Sequence, residues 1–174
     1  VNLFIMKKFF QFSGTISGTT YFLRFLFTIV LSLPGSFIYQ GYIINYLMDN
    51  EIIDFDQSDI LANITILLEQ IEQNTSNIHA SFTFEMVSIL FLVFLPSIWF
   101  NLATVYKRIS ALFYENRKNI FAVYFGYNLI VDSTSLGILP LLKSFTIYFS
   151  IISLLIFLVL IFKNSEIDKD DHEG

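Results

Sequence analysis

The chain has 174 residues, 55% of them apolar and only 14% charged, with a formal net charge of −5. Soluble domains run nearer a quarter charged, and a mean hydropathy of +0.64 belongs with chains that meet lipid. A nucleic-acid binder needs a basic stripe that is absent here, and a chain without cysteine has neither disulfides nor thiol chemistry.

Val1 in first place reads as an alternative start codon translated literally or as a trimmed end, a hint of a bacterial source. The opening Met6–Thr20 does not read as a signal peptide. Its apolar run starts with Arg24 inside it, extends too far, and lacks a small-x-small cleavage site. Phe9, Phe10 and Phe12 beside Lys7 and Lys8 are expected to form an interfacial anchor, rings at the headgroups and ammoniums in water. Thr19 or Thr20 is the expected N-cap of the first helix.

The first span is expected at about 21–47, uncharged from Phe25 to Met48 and carrying Pro34-Gly35, where a kink is expected. Arg24 lies near its inner end, close enough to snorkel. Residues 49–81 form the main outer loop. From Asp49 to Glu85 there are eight acids and no Lys or Arg. At the centre of the loop Ile60, Leu61, Ile64, Leu67, Leu68 and Ile71 share one face of an amphipathic helix, capped by Ser58 or Asp56. That face is expected to be buried, within the chain or against a partner subunit. Asn63-Ile-Thr65 and Asn74-Thr-Ser76 fit the glycosylation pattern, which matters only in a eukaryotic secretory setting.

The second span, Met86–Tyr106, is 21 uncharged residues, or about 30 Å of helix, the thickness of the hydrocarbon core. It holds Pro96 and Trp99, and Asn101 is expected to bond to a neighbouring helix. A basic loop, 107–118, follows. Lys107, Arg108, Arg117 and Lys118 either contact the anionic membrane surface or serve only to set topology during insertion. The third and fourth spans are expected at about 119–142 and 144–162, with a tight turn near Leu139–Ser144, before an acidic tail at 164–174.

This four-span layout places nine Lys/Arg inside and only Lys143 outside, so both termini are expected in the cytoplasm. A three-span layout with 119–142 re-entrant or interfacial strands Lys163 and Lys169 outside. The expected fold is all-α: a polytopic bundle of about four transmembrane helices in a cell inner (plasma) membrane, plus the amphipathic helix of the outer loop.

Two pieces carry a family resemblance. FFQFSGTISGTTYFLRFLFTIV (Phe9–Val30) resembles the aromatic opening of the YhaH-like small bacterial inner-membrane proteins, domain of unknown function 805. LFLVFLPSIWFNLATVYKRISALF (Leu90–Phe113) resembles that family's Pro-containing span with its Arg-Arg-Leu-His-Asp ending. Thr15 stands where the family has Arg after Gly14. Ser110 and Ala111 stand where it has His and Asp, so no role of that pair carries over. The resemblance implies a membrane and a fold, not an activity.

Chemistry is sparse. His79 and His172 fall in no metal-ligand spacing and are read as solvated residues of the loop and tail. There is no G-x-S-x-G, P-loop or G-x-G-x-x-G pattern, and no cofactor is implied. Asp132, in the middle of an apolar run, is either an intramembrane polar site, with Arg24 as a partner if packing joins spans one and three, or a cap on a new helical segment; the cap is preferred. The leading expectation is a non-enzymatic accessory, assembly or interaction subunit whose partners are the bilayer and other membrane subunits or itself. The alternative is a small transporter or channel protomer with Asp132, Arg24 or Asn128 lining a path.

Overall fold

Short hydroxyl side chains set two of the helix starts. Ser17 Oγ accepts from the Thr20 backbone N–H at 3.2 Å, and Thr83 Oγ1 from the Met86 N–H at 3.2 Å. Each is the N-cap bond that satisfies an orphan donor of a first turn. The first cap is therefore Ser17, not Thr19 or Thr20. Gly14 just before it sits at φ 81°, a left-handed turn that other residues resist.

The structure, a computed structural model, describes residues 10–50, 52, 60–135 and 139–167. Every element among them is helical: α1 (Gly18–Asp49), α2 (Ile60–Ala80), α3 (Phe84–Leu112), α4 (Arg117–Ser135), a 3-10 turn (Pro140–Phe145) and α5 (Thr146–Phe162). The expected roles of Lys7, Lys8, Phe9, Asp56, Ser58, His172 and most of the acidic tail lie outside the described residues.

Among the described residues three segments are long and apolar enough to cross a membrane: Gly18–Asp49, Phe84–Leu112 and Leu141–Phe162. Their surfaces agree. Phe37, Leu92 and Ile147 are each about two-thirds exposed, a cost in water and no cost in lipid. The protein is thus an all-α, membrane-embedded one with three such segments. α4, with Arg117, Lys118 and Asp132 in 19 residues, is not among them. α1 runs unbroken through Pro34 and α3 through Pro96.

The chain divides into two compact units, residues 1–30 with 97–174 and residues 31–96. In the first, Ile16, Tyr21, Val105, Ile109, Leu112 and Leu160 form the core, ringed by Ile120, Tyr124 and Ile156. α4 and α5 lie antiparallel: Ile120 and Tyr124 meet the core beside Leu160 and Ile156, while the Tyr127 hydroxyl donates to Phe149 O at 2.7 Å. Phe10 and Phe12 pack edge-on against Phe100 (5.6 Å) and Trp99 (5.2 Å), and the Trp99 indole donates to Phe10 O at 3.0 Å. These two rings seal the bundle, where a headgroup anchor was expected; edge-to-face stacking with other rings offers them more contact than an interface does.

In the second unit Ile43, Leu47 and Ile78 form a small core, with Leu67 and Ile71 half-buried against it. His79 is half-buried in the last turn of α2 rather than solvated, its ring 5.6 Å from Phe82 and Nε2 3.4 Å from the Tyr39 hydroxyl. The expected apolar face of α2 is not buried as one block. Leu67, Ile71 and Ile78 fall within about 40° of one another round the helix, and that edge meets α1. Ile64 and Leu68 lie about 20° and 60° beyond Ile71 and stay 47% and 63% exposed.

Candidate functional site

In α3 Ser97, Asn101, Thr104 and Arg108 recur at i, i+4, i+7 and i+11 inside an otherwise apolar helix. That spacing puts them on one stripe, and the stripe faces inward: Ser97, Thr104 and Arg108 are buried. The first unit therefore has a polar seam within its apolar core.

Arg108, 1% exposed, anchors the seam's inner end. Its Nε donates to Leu160 O, its Nη2 to Lys163 O at 2.6 Å, and its Nη1 to Ile16 O at 3.2 Å and Ser165 Oγ at 2.8 Å. Leu160 and Lys163 close α5, where carbonyls lack intrahelical donors and the helix dipole is negative. One guanidinium fork thus caps α5, fixes the entry to α1 and holds the start of the tail. Beside it the Glu166 N–H donates to Ala111 O at 2.9 Å. The approach is close: a Cβ on Gly18 would fall on the Ile161 carbonyl oxygen and lie 3.2 Å from Arg108 Nη2.

Higher in the same unit is a cavity of about 250 Å³ between α1, α3, α4 and α5. Tyr21, Asn101, Tyr124, Asn128 and Ser153 bring polar groups to it, and Phe25, Ile156 and Phe157 close it. Asn128 Nδ2 donates to Tyr124 O at 2.8 Å, leaving its amide oxygen as an acceptor. The Thr104 hydroxyl, fully buried, has no hydrogen-bond partner among the described residues. The cavity can hold a few waters or one small hydrogen-bonding molecule.

The expected site residues divide. Lys107 and Arg108 are not on the membrane surface: α3 continues through them to Leu112, and both are buried. The basic loop shrinks to Phe113–Asn116. Lys118 remains exposed, and Arg117 lies with its guanidinium 4.2 Å above the Tyr114 ring, donating to Tyr114 O at 2.9 Å. Arg24 is buried in the first unit, whereas Asp132 is exposed on the last full turn of α4, so the two do not form a buried pair. Nor does Asp132 cap a new segment, because α4 runs through it to Ser135.

Sequence reading missed Tyr21, Ser97, Thr104, Tyr124 and Ser153. The four-residue polar stripe in α3 was the available signal. No group of three metal-ligating side chains occurs among the described residues.

Fold and seam define a class, that of helical membrane-embedded proteins with a buried polar seam. No family model, curated protein or solved structure matches the chain.

Proposed function

We propose that this is a multi-pass subunit of the bacterial inner membrane that works by contact with another membrane protein and carries out no chemistry of its own. The observation behind it is the outer edge of α2. Ile64 and Leu68 are exposed in a segment that is rich in carboxylates and free of Lys and Arg. Apolar side chains among acids suit a partner whose facing surface is apolar and basic. Four crossings with a cytoplasmic N-terminus suit the antiparallel packing of α4 along α5, since a helix lying beside a spanning one shares its depth. The YhaH-like resemblance suits the same reading.

Co-purification in mild detergent tests it. Native protein should bring down a stoichiometric membrane partner, and Ile64→Asp with Leu68→Asp should release it while the melting temperature stays put. A pure monomer with and without the substitutions refutes the reading.

One observation favours a second reading, a small-solute or ion path: the polar cavity. Flux into liposomes by the purified protein, lost in Asn101→Leu with Asn128→Leu, would establish it; absence of flux would remove it.

A further inference from the structure

A second concavity in the first unit shares Tyr124, Tyr127, Ile156 and Leu160 with the polar cavity but opens on their apolar side. It is an open groove of about 410 Å³ between α4, α5 and the end of α3, within the ~300–1,000 Å³ range of small-molecule sites. Its lining is apolar almost throughout. Val123 and Leu155, on its two walls, are 73% and 56% exposed, so the groove is open along its length. The Tyr127 hydroxyl is already engaged with Phe149 O and Ser153 Oγ (2.7 and 2.9 Å), so the groove meets only its ring. From Ile120 to Tyr127 the groove follows α4 for eight residues, a rise of about 10 Å at 1.5 Å per step.

One end carries charge. Phe113 closes that end, and Lys163 Nζ sits 3.8 Å above its ring centroid. Arg117 and Lys118 open α4 on the same side, where the opposing carboxylates are Glu115 and Glu166. Among the described residues the balance there is three cations to two carboxylates, and Lys163 follows directly on an apolar crossing segment, as a headgroup-level cation would. Water does not favour such a groove, and a lipid tail does. Basic pockets between transmembrane helices on the cytoplasmic side are places where anionic headgroups bind.

We propose that the α4–α5 groove holds one acyl chain of an anionic phospholipid, with its phosphate at Lys163. The ammonium above Phe113 then pairs with the phosphate, and the ring under it becomes the floor on which the first carbons of the chain rest. This proposal rests on the four-crossing reading, with α4 in the membrane and the Lys163 end inside, and not on the outer edge of α2; the co-purification and lipid-binding tests therefore fail independently.

Native mass spectrometry of delipidated protein, titrated with phosphatidylglycerol or phosphatidylcholine of equal chain length, tests it. The expected result is one tightly held lipid per chain, with phosphatidylglycerol preferred about fivefold, the effect of one basic side chain near the membrane surface. Lys163→Gln should bring that preference close to one while chain binding persists. Val123→Trp with Leu155→Trp should fill the groove and abolish binding of both lipids. Leu92→Trp, a surface change elsewhere, should alter neither. Equal binding of the two lipids by native protein, an unchanged preference in Lys163→Gln, or unchanged binding in the filled groove overturns the proposal. If the double tryptophan variant does not fold, the Lys163→Gln ratio decides alone.

Discussion

Replacing Arg108 by Ala removes four hydrogen bonds at once, and the cost can be worked from the partners left behind. Ile16, Leu160 and Lys163 lose the donor to their carbonyls, and Ser165 loses the donor to its hydroxyl. A buried acceptor stripped of its partner costs about 1–3 kcal/mol. Lys163 and Ser165 lie near the surface and can turn to water, which leaves Ile16 and Leu160 to bear most of the loss. Against this stands the desolvation of a guanidinium that the variant no longer needs to bury. The balance is a loss of about 3–5 kcal/mol, the range seen when one member of a buried charged arrangement is deleted. At about 2–4 °C per kcal/mol for a chain of this size, the melting temperature should fall by about 10 °C. Thermal unfolding in detergent measures it, and proteolysis of the tail after Lys163 gives a second readout, since Arg108 holds that tail directly. Arg108→Lys should recover less than half, because an ammonium cannot reproduce the planar fork. A drop of under 2 °C for Arg108→Ala, with the tail still protected, would refute the assignment of Arg108 as the cap of α5.

Four further outcomes are expected. Gly18→Ala should destabilise by about 2 kcal/mol or more, because the added methyl collides with backbone at Ile161, whereas Gly126→Ala, which meets open space, should be neutral or gain up to ~1 kcal/mol of helix propensity; equal melting of the two variants refutes the close approach. Leu67→Asp with Ile71→Asp should lower the melting temperature where Ile64→Asp with Leu68→Asp does not, and equal effects from the two pairs would contradict the division of α2 into an inner and an outer edge. Thr104→Val should leave stability unchanged or raise it by about 1 kcal/mol, because the hydroxyl it removes has no partner to lose among the described residues; a clear loss would show that the hydroxyl is bound. Reporter fusions after Lys163 and within 63–77 should report opposite compartments, and finding both on one side would exclude four crossings.

Three of the four expected spans were legible because lipid demands long apolar runs and the chain spells them out; the one expected at 119–142 falls on α4, which with Arg117, Lys118 and Asp132 is not among the segments apolar enough to cross. The expected turn near Leu139–Ser144 agrees with the 3-10 turn at Pro140–Phe145, which Pro140 opens from a first-turn position where its missing N–H costs nothing, unlike Pro34 and Pro96, which lie inside continuous helices. What surrounds a residue decided the rest. Lys107 and Arg108 read as a cytoplasmic flank because charges after an apolar run usually are one. The acceptors that draw Arg108 inward are 52 to 92 residues away, and three of the four are backbone carbonyls, which leave no trace in side-chain patterns. The cavity was half legible. Asn101 and Asn128 stood out as polar residues in spans, but only the packing of α1 beside α4 sets Tyr21 and Tyr124 next to them.

The Arg108 fork also constrains how the chain is made. Of its acceptors, Ile16 leaves the ribosome before Arg108, but Leu160 arrives 52 residues later. At ~5–20 residues per second that is an interval of about 3–10 s. During it α3 stands at the membrane with a guanidinium three of whose four acceptors do not yet exist, so the nascent bundle stays unlocked until the last segment emerges. A chain that stops short of α5 presents that charge permanently, a mark of incompleteness built into the half-made protein itself.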